Sequence, residues 1–195
     1  SPTYSLLKEK AKKTISYNYK FYSGAYPEGS ILLDLFIHPI DILIYLFGDI
    51  TDYKANILKN NKGLNISLLT KHSSGCQGVA ELSTLHTWKK LEEHLVLSSN
   101  NEKFNCTYPN FLSSQNLPST FLGIPSEKIF SNKKNTETFL YDNNYMTPIQ
   151  ETNSLISQGF MSEILSFISE VEEGKNKNRS KLSDLEGTFK ILDKL

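Results

Sequence analysis

The chain opens with apolar residues at Leu6, Leu7 and Ala11 among polar ones, a helical stripe that runs to about Lys13. Ser1 and Pro2 ahead of it suit a helix cap and the first helical position. From Ile15 to Tyr22 the period shortens to two. Ile15, Tyr17, Tyr19 and Phe21 share a face, which predicts a strand. A connection with Gly24, Pro27 and Gly29 follows, then the longest apolar run, ILLDLFIHPIDILIYLF, residues 31–47. Gly48 ends that run as a C-terminal cap, so it reads as a buried helix. Pro39 has no N–H to donate, which places Asp34 in a distorted lead-in.

Short strands separated by turn residues come next: Asp52–Lys59, Leu64–His72, Cys76–Leu85, Glu93–Ser99 and Glu102–Tyr108. Consecutive strands on short turns predict an antiparallel meander, with a longer corner at 89–92. His72 precedes a turn and is expected in solvent. Residues 109–150 carry four prolines and many Asn and Ser. They read as a long excursion with short strands near Lys128–Ser131 and Glu137–Tyr141. Ile156, Phe160, Ile164, Phe167, Ile168 and Val171 form an amphipathic helix that ends at Gly174. Ser183-Asp184-Leu185-Glu186 matches a capping box, opening a last helix with Leu185, Phe189 and Leu192 on its buried face. The whole predicts one α+β domain, residues 1–195: an open, mainly antiparallel sheet with helices packed on one face.

Charge changes the picture by exclusion. Lys+Arg and Asp+Glu are both 21, and Arg179 is the lone arginine, so there is no basic, Arg-rich face for a nucleic acid. The apolar run is shorter than the ~20 residues a membrane span needs and carries Asp34 and Asp41. Two cysteines, Cys76 and Cys106, suit reduced thiols in a cytoplasmic protein rather than a disulfide framework or a zinc site. No metal motif is present. No G-x-G-x-x-G, P-loop or nucleophile elbow occurs, so no dinucleotide is expected to be held by this chain alone. A start on a helix, without Met, reads as the interior of a longer protein.

The informative cluster is Asp34-x-x-x-His38-x-x-Asp41, whose spacing places all three on one helical face. A histidine with a carboxylate one turn away is a sensible acid/base pair, because the imidazole titrates near neutrality and the carboxylate supports its charged form. The same spacing also suits a satisfied buried polar network. His86, Trp88 and His94 gather around one strand pair and its corner. They read either as the wall of a sugar pocket or as strand-edge packing.

EGSILLDLFIHPIDILIYLFGDITDYKA, residues 28–55, resembles the central signature of the Gfo/Idh/MocA family of NAD(P)-dependent oxidoreductases, MviM-type proteins among them. SPTYSLLKEKAKKTISYNYKF, GVAELSTLHTW, EEHLVLSSNNEKFNC and SFISEVEEGKNKNRSKLSDLEGTFKIL resemble the family's flanking elements. The resemblance implies the family's C-terminal domain, of the dihydrodipicolinate-reductase/glyceraldehyde-3-phosphate-dehydrogenase-like kind, without its N-terminal Rossmann domain. It implies His38 as general base, Asp34 as a partner of the reacting group, and Asp41 as a substrate-binding residue beside His86 and Trp88. NAD or NADP would belong to the full-length protein, with a sugar or cyclitol as substrate and an oligomer formed through the open sheet face. The fragment alone is expected to be inactive. Phe36 stands where the family often has glycine, and its bulk is expected to narrow the approach to the site. A non-catalytic sugar sensor on the same fold, or a purely structural dimerisation module, are the alternatives.

Overall fold

The computed structural model describes residues 1–116, 120–125, 128–129, 137–142, 154–174 and 182–195. Its strands are β1 (Ser16–Tyr22), β2 (Ile50–Asn60), β3 (Gly63–His72), β4 (Gln77–Ser83), β5 (Glu92–Ser98), β6 (Glu102–Thr107), β7 (Phe111–Asn116), β8 (Thr120–Phe121), β9 (Ile124–Pro125) and β10 (Glu137–Asp142). Eight of them form one sheet in the order β10-β7-β6-β5-β1-β4-β3-β2, and β8 and β9 pair separately. The architecture is the expected α+β domain. Part of expected strand Lys128–Ser131 lies outside the described residues, and its described part, Lys128 and Ile129, is not strand.

One feature departs from a simple meander. β1 is inserted between β4 and β5, parallel to β4 from Ser16↔Gln77 to Tyr22↔Ser83 and antiparallel to β5. The first strand thus becomes the centre, and two meanders add to its two sides. Turn signals report only neighbours in sequence, so they carry no trace of this insertion.

Period-two alternation decides which face is covered. Tyr17, Tyr19 and Phe21 of β1, Leu64, Ile66 and Leu68 of β3, and Leu95 and Leu97 of β5 are buried. The helix α1 (Pro2–Ala11) brings Tyr4, Leu7 and Ala11 onto that face, and α2 (Ile37–Phe47) brings Ile40, Leu43, Leu46 and Phe47. Each fully buried large side chain contributes about 1.5–3 kcal/mol. Among the described residues the opposite face stays open, with Asn18, Lys20, Leu69 and Val79 exposed on it.

The closing elements differ from expectation. After α3 (Ser154–Ser157), α4 (Phe160–Glu173) has no buried residue, and Phe167 and Val171 are each 66% exposed. Its apolar stripe therefore points away from the described core. The last helix opens with a 3-10 turn, Leu182–Leu185, and continues as α5 (Glu186–Leu192). Leu185 caps α5 without a side-chain hydrogen bond, so the capping box does not form; Glu186 pairs with Lys190 at 2.7 Å instead. Phe189 is exposed, and Thr188, Ile191 and Leu192 make the buried face.

His72 is 1% exposed rather than solvated. Its Nδ1–H donates to the Gly48 carbonyl at 2.7 Å, and its Nε2 accepts from the Tyr17 hydroxyl at 3.1 Å. Burial holds its pKa below the ordinary histidine value. Both cysteines are free and buried, and burial pushes the thiols up to about 11 for Cys76 and about 12 for Cys106. Among the described residues, no helix is long and apolar enough to cross a membrane.

Candidate functional site

The loop from Ser23 to Ser30 leaves the end of β1 and delivers the chain to α2 through one π-helical turn, Ile31–Phe36. Pro39 explains that turn. Its ring would meet the carbonyl four residues back and it offers no N–H, so the ladder widens ahead of it and becomes α-helical only from Ile37. Ser30 and Asp34 fasten the start reciprocally. The Ser30 hydroxyl accepts from the Leu33 N–H at 3.2 Å, and the Ser30 N–H donates to Asp34 Oδ2 at 2.6 Å. This is capping-box logic with the acidic residue moved one place along, as the wider turn requires.

Gly29 makes that closure possible. Its φ is +77°, and a Cβ there would run into Asp34 Oδ2. Gly29→Ala is expected to cost about 1–3 kcal/mol through left-handed strain alone, and to displace the Asp34 carboxylate as well. Chemical denaturation of the variant measures the cost. A change below about 0.3 kcal/mol would show that the cap relaxes freely.

His38 lies on the first turn of α2 and is exposed, as is Asp34. Among the described residues His38 makes no side-chain hydrogen bond, so its ring nitrogens are open to a ligand. Asp41, one turn further, is half-buried and accepts from the Thr188 hydroxyl at 3.3 Å. Burial raises the Asp41 pKa. The Thr188 hydrogen bond and the nearby His38 charge oppose that rise, and Asp184 adds to it. Asp41 also lines a groove of about 990 Å³ with Tyr45, Asp49, Tyr53, Asp184 and Lys190. The motif is thus opened out by the π-turn. Asp34 turns to the loop, Asp41 to α5, and His38 stands between them within electrostatic reach of Asp41. Asp34 and His38 are exposed in this chain, and Asp41 is half-buried.

Phe36 does not narrow this approach. It is fully buried and meets Phe21 edge-on at 6.3 Å, so its bulk fills the core.

The structure separates His86 from Trp88. Trp88 lies over Gly24, donates its indole N–H to the Ala25 carbonyl at 2.7 Å, and has Tyr26 at 6.4 Å. A Cβ on Gly29 would contact that same Tyr26 ring at 3.5 Å, so Trp88 and Asp34 border one loop. His86 instead stacks on Tyr22 at 4.3 Å. Tyr22 follows the open-face side of the β1 alternation, and its hydroxyl donates to Glu81 at 2.6 Å. The sheet therefore stands between His86 and α2. His94 is half-buried, and burial and nearby Lys20 and Lys103 lower its pKa.

Among the described residues, the start of the helix after β1 is not laid out as a pyrophosphate cradle. There the Ser30 N–H is taken by Asp34 and the Leu33 N–H by the Ser30 hydroxyl. A carboxylate also already occupies the anion position. Among the described residues, no group of three or more His, Cys, Asp or Glu is arranged to hold a metal ion.

Comparison with solved structures defines the class of fold. The chain has the fold of a little over half of several solved dehydrogenases and oxidoreductases. A dehydrogenase from Chromobacterium violaceum superposes with a TM-score of 0.75 at 14% identity, covering 100% of this chain and 57% of that one. A dehydrogenase (MviM) from Clostridium difficile gives 0.69 at 16% identity, covering 99% and 57%. Levoglucosan dehydrogenase in complex with NADH and L-sorbose gives 0.68 at 12% identity, covering 98% and 58%. The chain thus spans somewhat over half the length of these structures. No protein-family profile matches it, and no curated protein matches it.

Proposed function

We propose that this chain is the substrate-binding and oligomerisation domain of a cytoplasmic oxidoreductase that moves hydride between NAD or NADP and a hydroxyl-bearing sugar or cyclitol. The observation that carries the reading is His38, exposed and without a side-chain partner among the described residues, beside a half-buried Asp41 that opens into a groove. The fold it shares with dehydrogenases supports the reading. So does the NADH and L-sorbose bound in one of them.

A dinucleotide-binding domain outside this chain would hold the nicotinamide, which accepts or returns the hydride. The residues here handle the alcohol. His38 takes the proton from the substrate hydroxyl as general base. Asp34 keeps lone pairs beyond the one used by the Ser30 N–H, and these accept from the reacting group or its neighbour. Asp41 accepts from an adjacent substrate hydroxyl. Trp88, half-exposed beside the loop, offers an apolar face to a sugar ring. His86 belongs to the open face that a second copy would cover.

The test is a panel of sugars and cyclitols offered to the full-length protein, read as NAD(P)-linked absorbance change. Turnover of a polyol supports the enzyme. No turnover with ligand-induced thermal stabilisation would replace it with a sensor. The isolated chain is expected to bind neither NADH nor NADPH, and micromolar binding by calorimetry would overturn the domain assignment.

A further inference from the structure

A threonine with no exposure on a short closing helix asks for an explanation, because an unpaired buried hydroxyl costs about 1–3 kcal/mol. Thr188 is such a residue, and among the described residues its hydroxyl has one hydrogen-bond partner, Asp41 Oδ1 at 3.3 Å. The two are 147 positions apart in sequence, so the contact is made by the packing of α5 on α2. Gly187 sets that packing. A Cβ there would meet Asp49 Oδ1 at 3.0 Å and Ile44 Cδ1 at 3.5 Å, so α5 approaches α2 closely enough for Thr188 to reach. The Glu186–Lys190 pair occupies the exposed side of the same helix and leaves Thr188 inward.

We propose that Thr188 is a positioning residue whose hydroxyl fixes the Asp41 carboxylate to receive a substrate hydroxyl, making the closing helix part of the site. This rests on Asp41 as a substrate contact. Asp41 is half-buried at the wall of the groove, with His38 and Asp184 as the charged groups felt there. A half-buried carboxylate is solvated on one side only, and a fixed donor on the buried side holds its orientation. Without Thr188 the group gains freedom to rotate or to hold a proton. Either change removes an aimed acceptor.

Two variants separate the hydroxyl from its packing. Thr188→Val keeps the shape and removes the donor; Thr188→Ser keeps the donor and removes the methyl. The first readout is the Asp41 side-chain carboxyl resonance, titrated by NMR in the full-length protein. Thr188→Val is expected to raise the Asp41 midpoint by about half a pH unit or more, since the lost bond favours the charged form, while Thr188→Ser leaves it near wild type. The second readout is turnover of the substrate found by the panel. Thr188→Val is expected to lower kcat/KM about five- to tenfold, mainly through KM, with Thr188→Ser restoring it. An unmoved midpoint in Thr188→Val, or a loss shared equally by Thr188→Ser, would overturn the proposal. Asp41→Asn tests the underlying reading separately. Unchanged kcat/KM there would remove Asp41 from the substrate, whatever the titration of the Thr188 variants shows.

Discussion

Replacing His38 by alanine in the full-length protein is expected to lower kcat/KM by about 10²–10⁴-fold, the usual contribution of a general base. Folding stability should move by no more than about 0.5 kcal/mol, as for ordinary exposed positions. The two expectations follow from one fact: the ring is exposed and makes no side-chain hydrogen bond among the described residues. Nothing in the core depends on it. A residue of a buried network would behave in the opposite way, with a clear drop in melting temperature and only a proportionate change in rate. Initial rates and thermal melts on the same preparations therefore distinguish base from structural polar group. A falling melting temperature with preserved turnover would end the base assignment. If wild type and variant are both inactive yet bind a sugar equally, the pocket recognises without His38 chemistry, as a sensor would.

The elements of this site were legible in the chain and its shape was not. Asp34, His38 and Asp41 stand out because polar groups interrupt a 17-residue apolar run. Pro39 announces that the run cannot be one regular helix. What it does with the wider turn depends on Ser30 and Gly29, which act through a backbone N–H and a φ of +77° rather than through any pattern of polarity. Spacing alone groups His86, Trp88 and His94 around one strand pair and its corner. The corner between β4 and β5 sends Trp88 over Gly24 and His86 onto Tyr22. Thr188 was hidden because a threonine among Leu185, Phe189 and Leu192 reads as polar surface. Phe189 is exposed, and Thr188 lies inside, where Asp41 gives its hydroxyl a partner. Long-range pairing is what local periodicity leaves out, and the central position of β1 is the largest instance.

Glu93 carries the largest expected effect on stability. It is 6% exposed, and its Oε1 accepts from the Tyr4 hydroxyl on α1 and from the Tyr19 hydroxyl on β1, the latter at 2.8 Å. Its alternation places it on the covered face, yet a glutamate opening a strand reads as exposed. Its partner on α1 is 89 positions away. Burial raises its pKa above the ordinary 4.5, while the two tyrosine hydrogen bonds oppose the rise. Between pH 4.5 and that raised value the folded protein binds a proton more readily than the unfolded chain does. This contribution to stability is fully present below about pH 4.5 and is lost as pH climbs through the raised folded value. Glu93→Gln keeps an acceptor for both tyrosines and removes the titration. The stability of wild type minus that of Glu93→Gln should then fall as pH rises, by at most ~1.4 kcal/mol per pH unit, the limit for one proton. Subtraction also cancels His72, whose lowered pKa acts in the other sense: stability rises with pH between its folded value and the ordinary 6.5. Glu93→Ala strands both hydroxyls and opens a void, at a cost of about 2–5 kcal/mol. Because α1 leads directly into β1, and β1 into the loop that carries Asp34, that loss should loosen the site together with the core. Denaturant melts of wild type and Glu93→Gln across pH 4 to 8 decide the point. Parallel curves would mean that Glu93 stays ionised in the fold, with its tyrosines holding the charge.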